Sequence, residues 1–130
     1  MLRTAVIGVG HLGTQHARIH ATLAAEGLCE FAAVCDLDET RAQKVATERN
    51  TQSTADWRTL IGQVDAVSLA VPTESHCEIA CELLNAGIHV LVEKPISRTL
   101  EEADRMIASA QEGKAVLQVG HAEQIGRAHV

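Results

Sequence analysis

The sequence is poor in aromatic residues, with one Trp, one Phe and no Tyr. Trp57 alone makes no platform on which bases could stack, so an aromatic nucleic-acid surface is excluded. A surplus of positive charge is missing as well: 11 Lys and Arg stand against 17 Asp and Glu, a net charge of −6. That balance argues against nonspecific nucleic-acid binding, although backbone N–H groups can still hold a phosphate locally. No apolar run approaches the length of a membrane span. The short apolar run after Arg3 has no small-residue cleavage site behind it, so it reads as a strand and the expected location is cytoplasmic. Four cysteines without regular spacing give no disulfide framework and read as reduced thiols. Repeats, low-complexity tracts and linkers are absent too. A chain of 130 residues has room for one domain with a real core and hardly for two.

What is present is concentrated at the start. An apolar strand runs into Gly8-x-Gly10-x-x-Gly13 and then into a helix, a place built for a pyrophosphate. Gly8 permits the tight turn and Gly10 lets the backbone approach the phosphates. Gly13 lets the helix pack on the strand while its free N–H groups face the anion. A second apolar run then ends at Asp36, about twenty residues on, where a carboxylate can bind ribose hydroxyls. The bland alternative is a glycine-rich turn with an incidental Asp, but strand, helix, strand and acid stand in the required order.

Further along, apolar strands alternate with amphipathic helices, the pattern of a parallel sheet covered on both faces. Strands are expected at 3–8, 30–35, 51–53, 65–71, 88–92 and 115–119. The first helix is expected over 11–26, with Leu12, His16, Ile19 and Leu23 on its packed stripe. A second runs from the acidic start at Asp38 and Glu39 to about Arg49, and a short one spans 56–61. A further helix begins near Thr73 to Ser75, with Ser75 and Glu78 as a capping box, and ends at Gly87. The last follows Thr99, capped with Glu102, and stops at Gly113. Right-handed crossovers fold this order most simply into a doubly wound sheet, a single Rossmann α/β domain with strand order 3-2-1-4-5-6. Its carboxyl edge collects the Gly-rich turn, Asp36, Pro72, Thr73, Glu93, Lys94, Pro95, Gly120 and His121.

These motifs, together with Val71-Pro72-Thr73-x-x-His76, Ala86-Gly87-Ile88-His89-Val90-x-x-Glu93-Lys94-Pro95 and Gly120-His121-x-Glu123, resemble the nucleotide-binding domain of the Gfo/Idh/MocA oxidoreductases. Gly-His-x-Glu further resembles the branch that oxidises nucleotide-linked amino sugars. Residues 125–130 match one reading frame of a common sequencing adapter, so they are set aside as a non-native tail and the Rossmann domain is taken as 1–124. On this reading the chain is a stretch of a longer protein, without the family's substrate domain and its Asp-x-x-x-His motif.

The resemblance implies roles residue by residue. Gly8, Gly10, His11, Leu12 and Gly13 contact the pyrophosphate, and Asp36 binds the adenosine ribose. Its charge repels a 2′-phosphate, which favours NAD over NADP, while Arg41 leaves room for dual use. Pro72, Thr73 and His76 border the cofactor's ribose. Glu93 and Lys94 reach the nicotinamide end, with Lys94 as the catalytic residue on the hydroxyl being oxidised. The implied substrate is a sugar, cyclitol or nucleotide sugar, and the implied full-length enzyme is a homo-oligomer. No metal, nucleic acid or membrane enters this reading.

Other residues have plainer readings. Cys77 and Cys81 are one helical turn apart but lie on a packing stripe with Ala80 and Leu84, and a structural zinc site needs four ligands. His16 and His20 have metal-like spacing without a third ligand, so His16 is assigned to the helix's packed face. Trp57 packs beside the short helix. Lys94 could be a plain surface Lys, but its place at the cofactor edge speaks for function. Two rival classes remain: a methyltransferase, which needs no Glu-Lys-Pro, and a non-catalytic NAD-binding sensing module.

Overall fold

Strand β1 (Arg3–Ile7) carries Val6 and Ile7 to opposite faces of a sheet, and both are buried. The computed structural model describes residues 1–120. After β1 come α1 (His11–Ala25), β2 (Glu30–Cys35), α2 (Glu39–Glu48), β3 (Gln52–Thr54), a 3-10 turn (Trp57–Leu60) and β4 (Ala66–Leu69). A second 3-10 turn (Thr73–Ser75) leads into α3 (His76–Asn85), followed by β5 (His89–Glu93), α4 (Leu100–Gly113) and β6 (Leu117–Gly120). All six strands pair in parallel, in the order β3-β2-β1-β4-β5-β6. This is the expected doubly wound order, and it reverses direction between β1 and β4, where such sheets open a crevice at their carboxyl ends.

Two apolar layers sandwich the sheet. On one face Ile7, Leu69, Val90 and Val92 meet Leu83 and Leu84 of α3 and Met106 of α4. On the other, Val6 and Val34 meet Ala17 of α1 and Val45 and Ala46 of α2. Both faces being covered explains why the strands are near-continuous apolar runs.

Two local expectations are corrected. His16 is on the buried face of α1 as expected, but its companions there are Gly13 and Ala17, whereas Leu12 and Leu23 remain 42% and 37% exposed. Gly13 decides this: a Cβ there would lie 1.6 Å from the Gly8 carbonyl oxygen, so the helix rests on its glycine side and the leucines rotate outward. Ser75 caps nothing with its side chain, because it already has near-helical backbone (φ −100°, ψ −7°) as the end of a 3-10 turn that runs on into α3. The last helix does stop at Gly113, as expected, and the left-handed residue after it is Lys114 at φ 54°. The glycine serves helix packing, since a Cβ on Gly113 would lie 1.7 Å from the Leu84 carbonyl oxygen of α3. The expected cap at Thr99 does form, its hydroxyl accepting the Glu102 N–H at 3.1 Å.

Candidate cofactor site at the carboxyl edge of the sheet

The turn after β1 is constrained from two sides. Gly8 has φ +88°, and a Cβ there would approach the Ala70 carbonyl oxygen, at the exit of β4, to 2.7 Å. Glycine is thus required by conformation and by space. Gly10 differs, because the nearest atom to its missing side chain is an Arg41 nitrogen 3.8 Å away. Open space above this backbone is what a ligand phosphate needs. Gly10 is also the N-cap of α1 and supplies no side-chain cap, so the first-turn N–H groups of His11, Leu12 and Gly13 are left for a ligand or solvent.

Asp36, just past β2, completes the adenosine end. One carboxylate oxygen accepts the Val9 N–H and the other the Asp38 N–H, each at 2.9 Å. The two bonds fix the carboxylate beside the Gly-rich turn and leave further lone pairs for hydroxyl donors. Arg41 of α2 stands 3.6 Å from the same carboxylate. Next to it, burial first and then the Asp36 and Asp56 charges push the Cys35 thiol up to about 12, so that thiol is inert.

A cleft of about 650 Å³ joins these parts, lined among others by Gly8, Gly10, Asp36, Trp57, Val71 and Pro72. His11 and Leu12 also border it, while Gly13 lies beneath, against Gly8. Trp57 is therefore more than filling beside a short helix: it is buried at 9% exposure, lines the cleft, and carries the Arg58 guanidinium 4.3 Å from its ring centre. Sequence reasoning missed that role, since the turn placing it has no periodic signal. An uncapped helix start, a tight glycine cradle and a tethered carboxylate together fit the pyrophosphate and ribose of a dinucleotide.

The other expected site residues divide. Thr73 is half-buried in the turn after Pro72, and Lys94 is exposed where the chain leaves β5. None of Thr73, His76, Glu93 and Lys94 is among the residues that line the cleft. His76 is 2% exposed, its Nδ1 lying 3.1 Å from the Ile96 carbonyl oxygen and its Nε2 2.9 Å from the Val71 carbonyl oxygen. Glu93 is 7% exposed, and its carboxylate is bonded to His16 Nε2 of α1. Strand alternation was the signal for this: Val90 and Val92 face α3 and α4, so Glu93 must face α1. His121 and Glu123 lie outside the described residues. Among the described residues no group of three or more His, Cys, Asp or Glu could hold a metal. Cys77 and Cys81 stand with their sulfurs 3.8 Å apart, and burial raises the Cys77 thiol above its usual value.

Comparison with known proteins agrees with this geometry. Residues 2–121 match the family described as oxidoreductase family, NAD-binding Rossmann fold. The UDP-N-acetylglucosamine 3-dehydrogenase of Acidithiobacillus ferrooxidans is 40% identical over 124 residues, 95% of this chain and 38% of that protein. A crystal form of the same enzyme superposes with a TM-score of 0.86, covering 98% of this chain and 40% of the other. Inositol 2-dehydrogenase of Salmonella typhimurium is 31% identical over 136 residues, 99% of this chain and 39% of that protein. GenD2 from gentamicin A biosynthesis, solved in complex with NAD, is 32% identical with a TM-score of 0.84, covering 92% of this chain and 34% of the other. The chain thus spans about two-fifths of the length of the curated relatives it matches, 38% and 39%. It belongs to the Gfo/Idh/MocA oxidoreductase family and is an NAD-binding Rossmann domain related to sugar and cyclitol dehydrogenases.

Proposed function

We propose that this domain holds NAD for a dehydrogenase that oxidises a hydroxyl of a sugar, cyclitol or nucleotide sugar. The observation that carries the reading is the joining of Asp36 to the Gly-rich turn through the Val9 N–H, which builds ribose and pyrophosphate recognition into one rigid unit. His11, Leu12 and Gly13 offer their N–H groups to the pyrophosphate over Gly8 and Gly10, and Asp36 accepts ribose hydroxyls. Pro72 borders the cleft beyond β4, and Thr73 follows it at the start of the next turn. When bound, NAD supplies the hydride acceptor. Lys94, exposed at the end of β5, is assigned as the donor to the reacting hydroxyl, where a cation stabilises developing alkoxide charge. The 130 residues contain no Asp-x-x-x-His segment, so the isolated chain is expected to bind cofactor without turnover. The same reading makes the whole protein a cytoplasmic homo-oligomer acting on a small molecule.

Asp36 sets the cofactor preference. NAD is expected to bind the chain about tenfold or more tighter than NADP, ~1.4 kcal/mol, because the carboxylate repels a 2′-phosphate. Asp36→Ser narrows that gap, with Arg41 left free beside the site. Calorimetric titration of both cofactors checks it, and equal affinities in the unaltered chain would reject the preference. An Asp-x-x-x-His segment in a longer form of this protein would reject the rival sensing-module reading.

A further inference from the structure

Lys94 is exposed, yet the chain on either side of it is tied down. Glu93 is bonded to His16 on α1, and both side chains are buried, 9% and 3% exposed. A buried carboxylate is costly unless partnered, so Glu93 lies where His16 holds it. The Lys94 N–H donates to the Gly120 carbonyl of β6 at 3.0 Å. Two residues later, the Ile96 carbonyl oxygen lies 3.1 Å from His76 Nδ1 on α3. The other nitrogen of that ring reaches the Val71 carbonyl, in the wall of the cleft. Helices α1 and α3 cover opposite faces of the sheet, so the two histidines grip the Lys94 segment from both sides.

We propose that His16 and His76 are positioning residues that fix the Lys94–Pro95 segment relative to the cofactor cleft. The inference rests on the assignment of Lys94 to the reacting end of the site. His16 ties the segment to the helix whose N-terminus receives the pyrophosphate. His76 ties it to the cleft wall after β4. A Lys on a loose loop end would spread its ammonium over many positions, whereas these bonds leave only its own side-chain torsions free. Neither histidine touches the cofactor or substrate in this arrangement; each acts through the backbone it holds.

A purely space-filling role predicts something different, and amide isosteres separate the two. A Gln side chain places its nitrogen near an imidazole Nε2, and an Asn near Nδ1. His16→Gln therefore retains a donor for Glu93, and His16→Met removes it at similar volume. His76→Asn retains the bond to Ile96, and His76→Gln retains only the bond to Val71. Two readouts are used on the 130-residue chain: hydrogen exchange at the Lys94 amide, and the ratio of affinities for NAD and for ADP-ribose, which lacks the nicotinamide. His16→Met and His76→Gln are expected to speed exchange at Lys94 about tenfold or more and to shrink the ratio, with ADP-ribose affinity unchanged. His16→Gln and His76→Asn are expected to stay near the parent. Equal effects in all four variants accompanied by loss of ADP-ribose affinity, or no effect in any, would overturn the proposal. Should His16→Met not fold, Glu93→Gln tests the same bond from the other side, with faster Lys94 exchange expected and parental exchange counting against it. If the parent binds NAD no better than ADP-ribose, the placement of Lys94 at the reacting end falls, while the exchange pattern still decides whether the histidines hold the segment.

Discussion

At the scale of the residue, the polar side chains beneath α1 set a pH limit on the fold. His20 Nδ1 lies 2.9 Å from the Thr4 hydroxyl of β1, and Nε2 lies 2.9 Å from the Ser68 hydroxyl of β4. Burial first, and then the charge of His16, lower its pKa to about 4 from 6.5. Between those two values the unfolded chain takes up a proton that the folded chain refuses. Stability from this group is therefore complete above pH 6.5, falls as pH drops toward 4, and changes no further below that. The size is about 3 kcal/mol. Urea midpoints are expected to fall across this window in the parent and much less in His20→Gln, which cannot titrate; parallel pH profiles for the two would refute the assignment. Such residues were the least legible in the sequence. Gly8, Gly13 and Asp36 could be read because backbone conformation, close approach and ribose chemistry each demand one residue type. His16 and His20 could not, because whether a buried histidine is filler or a brace depends on partners from strands far away in sequence, Glu93 for one and Thr4 and Ser68 for the other.

At the scale of the element, sequence cues located helices better than they oriented them. The start of α4 was legible because Thr99 caps the Glu102 N–H through purely local geometry. Glu102 reaches back to the Arg98 N–H at 3.1 Å and also pairs with the Arg98 guanidinium, which holds its carboxyl below the usual carboxylate range. The face of α1 was read only in part: His16 was placed on it, but leucines outrank glycine in an apolar pattern, and the contact at Gly13 outranks them. Gly113 makes the same point with a testable sign. Intrinsic propensity says that Ala in place of a helical glycine gains about 1 kcal/mol. The added Cβ would meet the Leu84 carbonyl at 1.7 Å, which nothing but separation of α3 from α4 relieves. Gly113→Ala is thus expected to destabilise by roughly 1–3 kcal/mol, the usual cost of overpacking. Chemical denaturation decides between the two, and an increase in stability would mean that α4 does not lie this close to α3.

At the scale of the molecule, strand order was legible because crossover handedness leaves few choices once the six strands are found, while the cleft's far wall was not, because Trp57 reaches it from a turn. What the order creates is also an asymmetry between the sheet's two ends. Strand β3, at one end, is only three residues long and polar, a poor template for another strand. Strand β6, at the other, pairs only with β5 among the described residues, and its Val119 and the adjoining Val116 are 42% and 59% exposed. Leu100 and Ile107 of α4 add exposed apolar surface. An open strand edge with apolar neighbours offers backbone donors and acceptors to a second chain, and the modest net charge of −6 opposes approach only weakly at physiological salt. The isolated chain is therefore expected to self-associate as its concentration rises. A Val116→Lys, Val119→Lys double variant is expected to shift it toward monomer with unchanged NAD affinity and unfolding midpoint, since neither residue belongs to the core or the cleft. Sedimentation velocity across a hundredfold concentration range (~10⁻⁶ to 10⁻⁴ M, where transiently exposed edges associate) measures it. A parent chain that stays monomeric throughout would show that this edge is protected, and would remove the reason for the charged pair.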